Sequence, residues 1–253
     1  MKKVILCAAV SAVCLLSGCT RIENRPDMGH SSYVPLTESQ LEHYYQAVSN
    51  EKSTSESESI PVEAEEKISR IVLVGDSRTT NLGYYIYGIT MIDDYLVDEE
   101  TSDGDYILGA GGEGYDWLLE HTSEIEDKLT DGCALVVNMG VNGAPDFHAE
   151  IAEWCNNMAQ KYKDRGVKVY FMSVNPVNDR LMAYYNYTLR NVDVICFNSV
   201  IRTELIGVTY IDTYSVVKDD ILGESSSSFD GLHYYEDVYR KIRDYTWEFI
   251  KGE

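Results

Sequence analysis

Two short segments far apart in the chain carry side chains that chemistry can use: Gly75-Asp76-Ser77-Arg78 and Asp230-Gly231-Leu232-His233. A serine hydroxyl is a weak nucleophile until a base takes its proton, and histidine is the side chain whose unperturbed pKa suits that task near neutrality. In a turn, an aspartate three residues before a histidine can accept the Nδ1–H. That contact fixes the ring tautomer so that Nε2 faces the serine, and it stabilises the imidazolium that forms. The expected assignment is Ser77 as nucleophile, His233 as base and Asp230 as the partner that orients it. Taken singly, Ser77 reads as a helix cap and His233 as a polar residue in a serine-rich loop. The other histidines (His30, His43, His121 and His148) lack such a neighbour at a strand end.

Acyl transfer also needs hydrogen-bond donors where the oxyanion develops. Two loops offer them. The apolar run Ala134-Leu135-Val136-Val137 leads into Asn138-Met139-Gly140-Val141-Asn142-Gly143, and the Asn142 amide is a candidate donor. The loop Gly109-Ala110-Gly111-Gly112-Glu113-Gly114 precedes a helical stretch, and glycine there lets a backbone N–H come close to a substrate. Gly112 is the assignment, with Gly111 and Gly114 as rivals. Arg78 has two readings: a guanidinium facing the cleft, where it would hold a substrate carboxylate or phosphate by two parallel hydrogen bonds, or a helix residue paired with a surface acid.

These residues need a scaffold, and the apolar pattern supplies one. Ile71-Val72-Leu73-Val74 is short, β-branched and closed by Gly75, as a strand buried on both faces would be. The pattern returns at 134–137, at 167–174 and, more weakly, in Val208-Thr209-Tyr210-Ile211. Between these runs Phe147, Ile151, Cys155, Met158 and Tyr162 recur at spacings of three and four and stop near Gly166, which predicts a helix with a glycine cap. Val238, Ile242, Tyr245 and Phe249 mark one face of a last helix. Helices are also expected at 116–129 and at 189–205, the latter with Val192, Ile195, Cys196 and Val200 inward. Strands alternating with helices of this length predict an α/β domain with a parallel sheet, helices on both faces and ligands at the C-terminal strand ends. Ser77 falls at such an end, beside the positive end of a helix dipole.

In order and spacing, Gly75-Asp76-Ser77, the glycine loop, Gly140-Val141-Asn142 and Asp230-Gly231-Leu232-His233 resemble the four blocks of the SGNH hydrolases, also called the GDSL family. The resemblance covers nearly all of 69–251. It implies a flavodoxin-like three-layer α/β/α sandwich, a serine mechanism without metal or other cofactor, and an oxyanion hole built from the Ser77 N–H, the Gly112 N–H and the Asn142 side chain. Two positions depart from the pattern: Arg78 stands where leucine is common, and Gly143 where aspartate often follows the asparagine.

The ends and composition say where such a domain would work. Lys2 and Lys3 precede an uncharged run, residues 4–16, too short to span a bilayer, which reads as a signal-peptide core. Leu16-Ser17-Gly18-Cys19 resembles a bacterial lipobox, so residues 1–18 are expected to leave and Cys19 to carry lipid, with two or more acyl chains needed for stable anchoring. Residues 19–68 form a polar acidic tether, in which Thr37 and Gln40 suggest a capping box for a short helix. Residues 69–253 form the single domain. The expected location is extracytoplasmic, lipid-anchored to the bacterial cell membrane through Cys19.

Cys7 and Cys14 leave with the signal. Cys133, Cys155 and Cys196, an odd and widely spaced set in apolar contexts, are expected as buried free thiols and not as a disulfide framework or metal site. With 42 acidic against 21 basic residues the chain carries −21, which argues against nucleic acid as a partner. Twenty tyrosines, clustered as Tyr84-Tyr85, Tyr184-Tyr185 and Tyr234-Tyr235, offer faces that can stack on sugar rings or simply pack. The expected activity is hydrolysis of acyl esters, O-acetyl or other short chains, on wall, capsule or dietary polysaccharide. Alternatives are a lipase, lysophospholipase or thioesterase acting on longer chains, and a surface lipoprotein that binds without turnover.

Overall fold

The structure, a computed structural model, describes residues 67–92 and 95–252. The signal segment, Cys19 and the Thr37/Gln40 cap lie outside the described residues, as does nearly all of the tether.

Among the described residues six strands form one sheet: β1 (Ile71–Gly75), β2 (Val97–Glu100), β3 (Tyr106–Gly109), β4 (Ala134–Asn138), β5 (Lys168–Met172) and β6 (Val208–Ile211). Their order is β2-β3-β1-β4-β5-β6, parallel throughout except that β2 runs antiparallel to β3. The five parallel strands follow the flavodoxin-like order. Between and after them run α1 (Ser77–Tyr87), α2 (Tyr115–Glu120), α3 (Thr122–Lys128), α4 (His148–Lys161), α5 (Asp179–Tyr184), α6 (Asn191–Glu204), α7 (Thr213–Leu222) and α8 (Glu236–Lys251).

Because side chains alternate along a strand, each apolar run serves two cores. Val72, Val74, Leu135, Val137, Val169 and Phe171 face one way, against Leu118, Ile125, Ile151, Cys155, Phe197 and Ile201 of α2, α3, α4 and α6. Ile71, Leu73, Ala134, Val136, Tyr170 and Met172 face the other, against Leu82, Val217, Val238, Ile242 and Trp247 of α1, α7 and α8. This is the expected three-layer sandwich. Each fully buried Val, Leu or Ile contributes roughly 1.5–3 kcal/mol, which is why continuous apolar runs are tolerated only here.

Several elements differ from the sequence reading. The edge strand β2 is Val-Asp-Glu-Glu, whose charges hide it from an apolar scan while keeping the open edge from pairing with another chain. The stretch at 116–129 is two helices, broken at His121, whose ring packs on Trp117 at 4.4 Å and whose Nδ1 lies 2.9 Å from the Trp117 carbonyl oxygen. Phe147 precedes α4 in the left-handed region instead of opening it. On α6, Cys196 is buried as expected, but Val200 is exposed and Val194, Phe197 and Ile201 point inward. Two buried asparagines turn that helix. Asn198 holds both the N–H and the carbonyl of Val174, and Asn191 accepts from the Val177 N–H while donating to the Tyr214 hydroxyl. On α8 Val238 and Ile242 are buried while Phe249 is exposed, its expected place inside taken by Trp247 and Ile250. Cys133, Cys155 and Cys196 are buried and unbridged, and burial pushes the thiols of Cys133 and Cys155 up, away from reactivity.

Candidate active site

The site begins with the turn out of β1. Gly75 pairs with Gly109 on one side and Asn138 on the other, so the loops leaving β3 and β4 flank the start of α1. A Cβ on Gly75 would lie 2.1 Å from the Asn138 carbonyl oxygen and 2.2 Å from Thr79 Oγ1; only glycine lets the three segments close this tightly. Asp76 then caps α1. Its Oδ1 accepts from the Arg78 N–H (3.0 Å), and its carbonyl accepts from the N–H groups of Thr79 and Thr80. Ser77 is left as the first helical residue, and its own N–H has no acceptor among the described residues.

The second half of the site is a compact turn. Asp230 Oδ1 accepts from the N–H groups of Leu232 (2.8 Å) and His233 (2.6 Å), while Oδ2 lies 2.7 Å from His233 Nδ1. An ionised carboxylate only accepts, so Nδ1 carries a proton, and in the neutral ring Nε2 presents its lone pair. Nε2 lies 2.9 Å from Ser77 Oγ. Ser77, Asp230 and His233 are all nearly inaccessible, at 6%, 2% and 6% exposure. Burial works against the Asp230 carboxylate, but the ring and backbone donors of His233 outweigh it and hold its pKa below the ordinary value. At Asp76 the balance is reversed: burial outweighs the Arg78 charge and raises the carboxyl.

Three residues that sequence reasoning passed over shape this turn. Ser228 Oγ donates to the His233 carbonyl (2.5 Å) and accepts from the Gly231 N–H (2.8 Å), closing the loop from inside. Gly231, at φ +92°, packs where a Cβ would meet the Met182 nitrogen at 2.7 Å, so α5 seats the turn from below. The Phe229 ring lies nearly parallel to the His233 ring at 6.0 Å. A serine-rich loop ahead of the histidine was the available signal for Ser228, but nothing in it says which serine turns inward.

The two donor loops are tied together. Asn142 Nδ2 donates to the Glu113 carbonyl at 2.8 Å, which leaves the second amide hydrogen for another acceptor. Gly112 is exposed and takes φ +76°, whereas Gly111 packs against Tyr95, where a Cβ would meet the Tyr95 Cβ at 2.8 Å.

Arg78 departs from both readings of its sequence position. It is 2% exposed and pairs neither with a surface acid nor across an open cleft; Nε donates to the Leu232 carbonyl (3.1 Å), Nη1 to Asn175 (2.7 Å) and Nη2 to Pro176 (3.2 Å). Those donors are consumed inside the protein, so the guanidinium is not displayed to a ligand.

A cavity of about 510 Å³ lined by Asp103, Arg243, Asp244, Trp247, Glu248 and Lys251 lies at the opposite, N-terminal edge of the sheet. Its cations are already paired, Arg243 with Asp103 and Asp244, Lys251 with Asp105. Among the described residues no three His, Cys, Asp or Glu side chains gather as a metal-binding group.

The chain has the three-layer α/β fold of the GDSL-like, or SGNH, hydrolases. No protein-family model matches the chain, and no curated protein matches it in sequence. Solved structures do. A GDSL-like lipase from Bacteroides thetaiotaomicron superposes with a TM-score of 0.51 at 16% identity, over 83% of this chain and 97% of that one. A candidate acylhydrolase from Bacteroides fragilis gives 0.54 at 15% identity, over 86% and 98%. A variant of an acetyl xylan esterase from Geobacillus stearothermophilus gives 0.51 at 11% identity, over 75% and 98%. At such identities the likeness speaks for the fold, and the chemistry has to be argued from this chain's own residues.

Proposed function

We propose that the chain is a serine esterase that works through an acyl-enzyme. The observation that carries this reading is the unbroken hydrogen-bonded line from Ser77 Oγ to His233 Nε2 and from His233 Nδ1 to Asp230 Oδ2, buried at the C-terminal end of β1. Ser77 Oγ attacks the ester carbonyl while its proton passes to Nε2, and Asp230 stabilises the imidazolium. The carbonyl oxygen, now negative, is met by the Ser77 N–H at the start of α1, the Gly112 N–H and the Asn142 amide. Collapse expels the alcohol, which takes the proton from Nε2. Water then attacks the acyl-serine by the same steps, regenerating the enzyme and releasing the acid.

We read the substrate as a short acyl ester, O-acetyl above all, on a carbohydrate. Tyr184 and Tyr185 support this: they stand edge to face at 5.0 Å at the end of α5, the helix that seats the Asp230-His233 turn, and Tyr184 is 76% exposed. Tyr234, by contrast, is fully buried and offers no face to a sugar. The acetyl xylan esterase among the similar structures agrees with this reading. Export and a lipid on Cys19 complete the proposal, placing the domain outside the cytoplasm on an acidic tether.

The test is a panel of p-nitrophenyl esters of graded chain length and acetylated oligosaccharides. Turnover of acetyl esters, lost by about 10³-fold or more in Ser77→Ala, together with one fluorophosphonate label on the serine protein alone, is expected. A folded Ser77→Ala protein with unchanged turnover overturns the mechanism, and activity confined to long acyl chains overturns the substrate class. Mass spectrometry of the native N-terminus reads the anchor: an unlipidated start elsewhere than Cys19 removes it.

A further inference from the structure

We propose that Arg78 is the positioning residue of His233, the strut that fixes the base against the nucleophile; this rests on the reading of Ser77 and His233 given above. Arg78 follows Ser77 on the first turn of α1, yet its contacts lie about a hundred residues or more away. Leu232, whose carbonyl accepts from Nε, immediately precedes His233. Tyr234, whose ring lies 4.9 Å beneath the guanidinium carbon, immediately follows it. Pro176 joins the two contacts, because its carbonyl accepts both from Nη2 and, at 2.5 Å, from the Tyr234 hydroxyl. One planar side chain thus holds the residues on either side of the histidine and the loop behind them, and it does so from the helical turn that presents Ser77 Oγ.

The chemistry of the group fits the task. Burying a cation is costly unless its donors are satisfied, and here three carbonyls and an aromatic face surround it while no carboxylate is hydrogen-bonded to it. Such an arrangement is a poor device for stability alone, since an apolar residue could fill the space. What only a guanidinium offers is donors in one rigid plane aimed at two separate segments. A lysine ammonium has donors but no such fork, and a leucine has none. The Nε2 to Oγ separation of 2.9 Å is therefore set by a short rigid path through Arg78, in addition to the longer path through the sheet. A misplacement on the order of 1 Å can cost about 10²-fold in rate.

The test uses the full chain carrying Arg78→Ala or Arg78→Lys, with kcat and KM on p-nitrophenyl acetate, the rate of fluorophosphonate labelling, and the low-field proton resonance of His233 Nδ1. Arg78→Ala is expected to lower kcat by about 10²-fold and Arg78→Lys by about 10-fold, with KM little changed. Labelling should slow in proportion, and guanidinium ion added at non-denaturing concentration should restore part of the Arg78→Ala rate. Should Arg78→Ala not fold, Arg78→Lys carries the test. Wild-type kcat and labelling in either folded variant overturns the inference, and so does a rise in KM confined to anionic esters. If the wild-type protein hydrolyses no ester and takes no label, the esterase reading falls. The resonance then decides: loss or displacement of the Nδ1 proton signal in the folded variants supports the strut, and an unchanged signal overturns it.

Discussion

Replacing Asp230 by asparagine tests the site most sharply, because the structure dictates which way the amide must face. Oδ1 accepts two backbone N–H groups, from Leu232 and His233. An amide NH₂ in that position would meet two donors, so the asparagine oxygen occupies the Oδ1 site and the NH₂ faces His233 Nδ1 in place of Oδ2. Nδ1 then has to accept, the ring proton moves to Nε2, and Nε2 points an N–H at Ser77 Oγ where the proposed mechanism needs a lone pair. Recovering the working tautomer means setting donor against donor and forgoing a charge-assisted bond, together roughly 2.5–6 kcal/mol. At about 1.4 kcal/mol per decade that is about 10²–10⁴ in kcat, with the upper end matching the loss of about 10⁴ known when the orienting carboxylate of a Ser-His-Asp triad becomes asparagine. Asp230→Asn should therefore be nearly inactive on p-nitrophenyl acetate with KM little changed, and somewhat less stable than wild type near neutral pH, since each hydrogen bond of the turn is kept in number but the charge that His233 favours is gone. Asp230→Ala should differ in stability, because it strands the two backbone donors at about 1–3 kcal/mol each. A folded Asp230→Asn protein with more than a tenth of wild-type kcat would refute the tautomer argument.

Asn142→Ala should lower kcat by about 10²–10³ with a small effect on KM, because in the proposed mechanism its amide meets charge present mainly in the transition state; a stable variant with wild-type kcat on a chemistry-limited ester removes Asn142 from the oxyanion hole. The pH dependence of stability should carry the mark of Asp230. Its folded pKa is depressed below 3.8, so its contribution is fully present above about pH 4 and lost as pH falls through the lower folded value. The urea-midpoint difference between wild type and Asp230→Ala should accordingly narrow below that pH, and a constant difference down to pH 2 contradicts the sign. Asp105→Ala should destabilise without touching catalysis. The buried Asp105 carboxylate takes the Ile71 N–H (2.8 Å), the Trp247 indole N–H (2.7 Å) and the Lys251 ammonium (3.1 Å) at the N-terminal edge of the sheet. Stranding those donors costs about 3–5 kcal/mol, and urea unfolding that gives less than about 1 kcal/mol discards the claim.

What the sequence determined by itself was local. Ile71-Val72-Leu73-Val74 closed by Gly75 is a buried strand by composition alone, and Asp230 three residues before His233 makes its own hydrogen bonds within one turn. The layers follow from the same source, since a β-branched run with two apolar faces has to be covered on both sides. Chemistry that depends on a run or a turn is legible because the partners are neighbours in the chain.

The tertiary structure decided the contacts that depend on where crossovers return. Ser77 and His233 meet across 156 positions only because β1 lies in the middle of the sheet and the last loop comes back over its end. Arg78, a surface residue or a ligand clamp by its position, lies inward, where the carbonyls of Leu232, Asn175 and Pro176 take its donors. The face of α6 turned for a like reason: an apolar moment alone does not register that Asn191 and Asn198 close buried backbone groups. The charged edge strand β2 shows no apolar run, because only Val97 of its four residues is buried. Periodicity reports which side of an element meets the core, whereas a buried polar group is placed by partners that only the folded chain brings together.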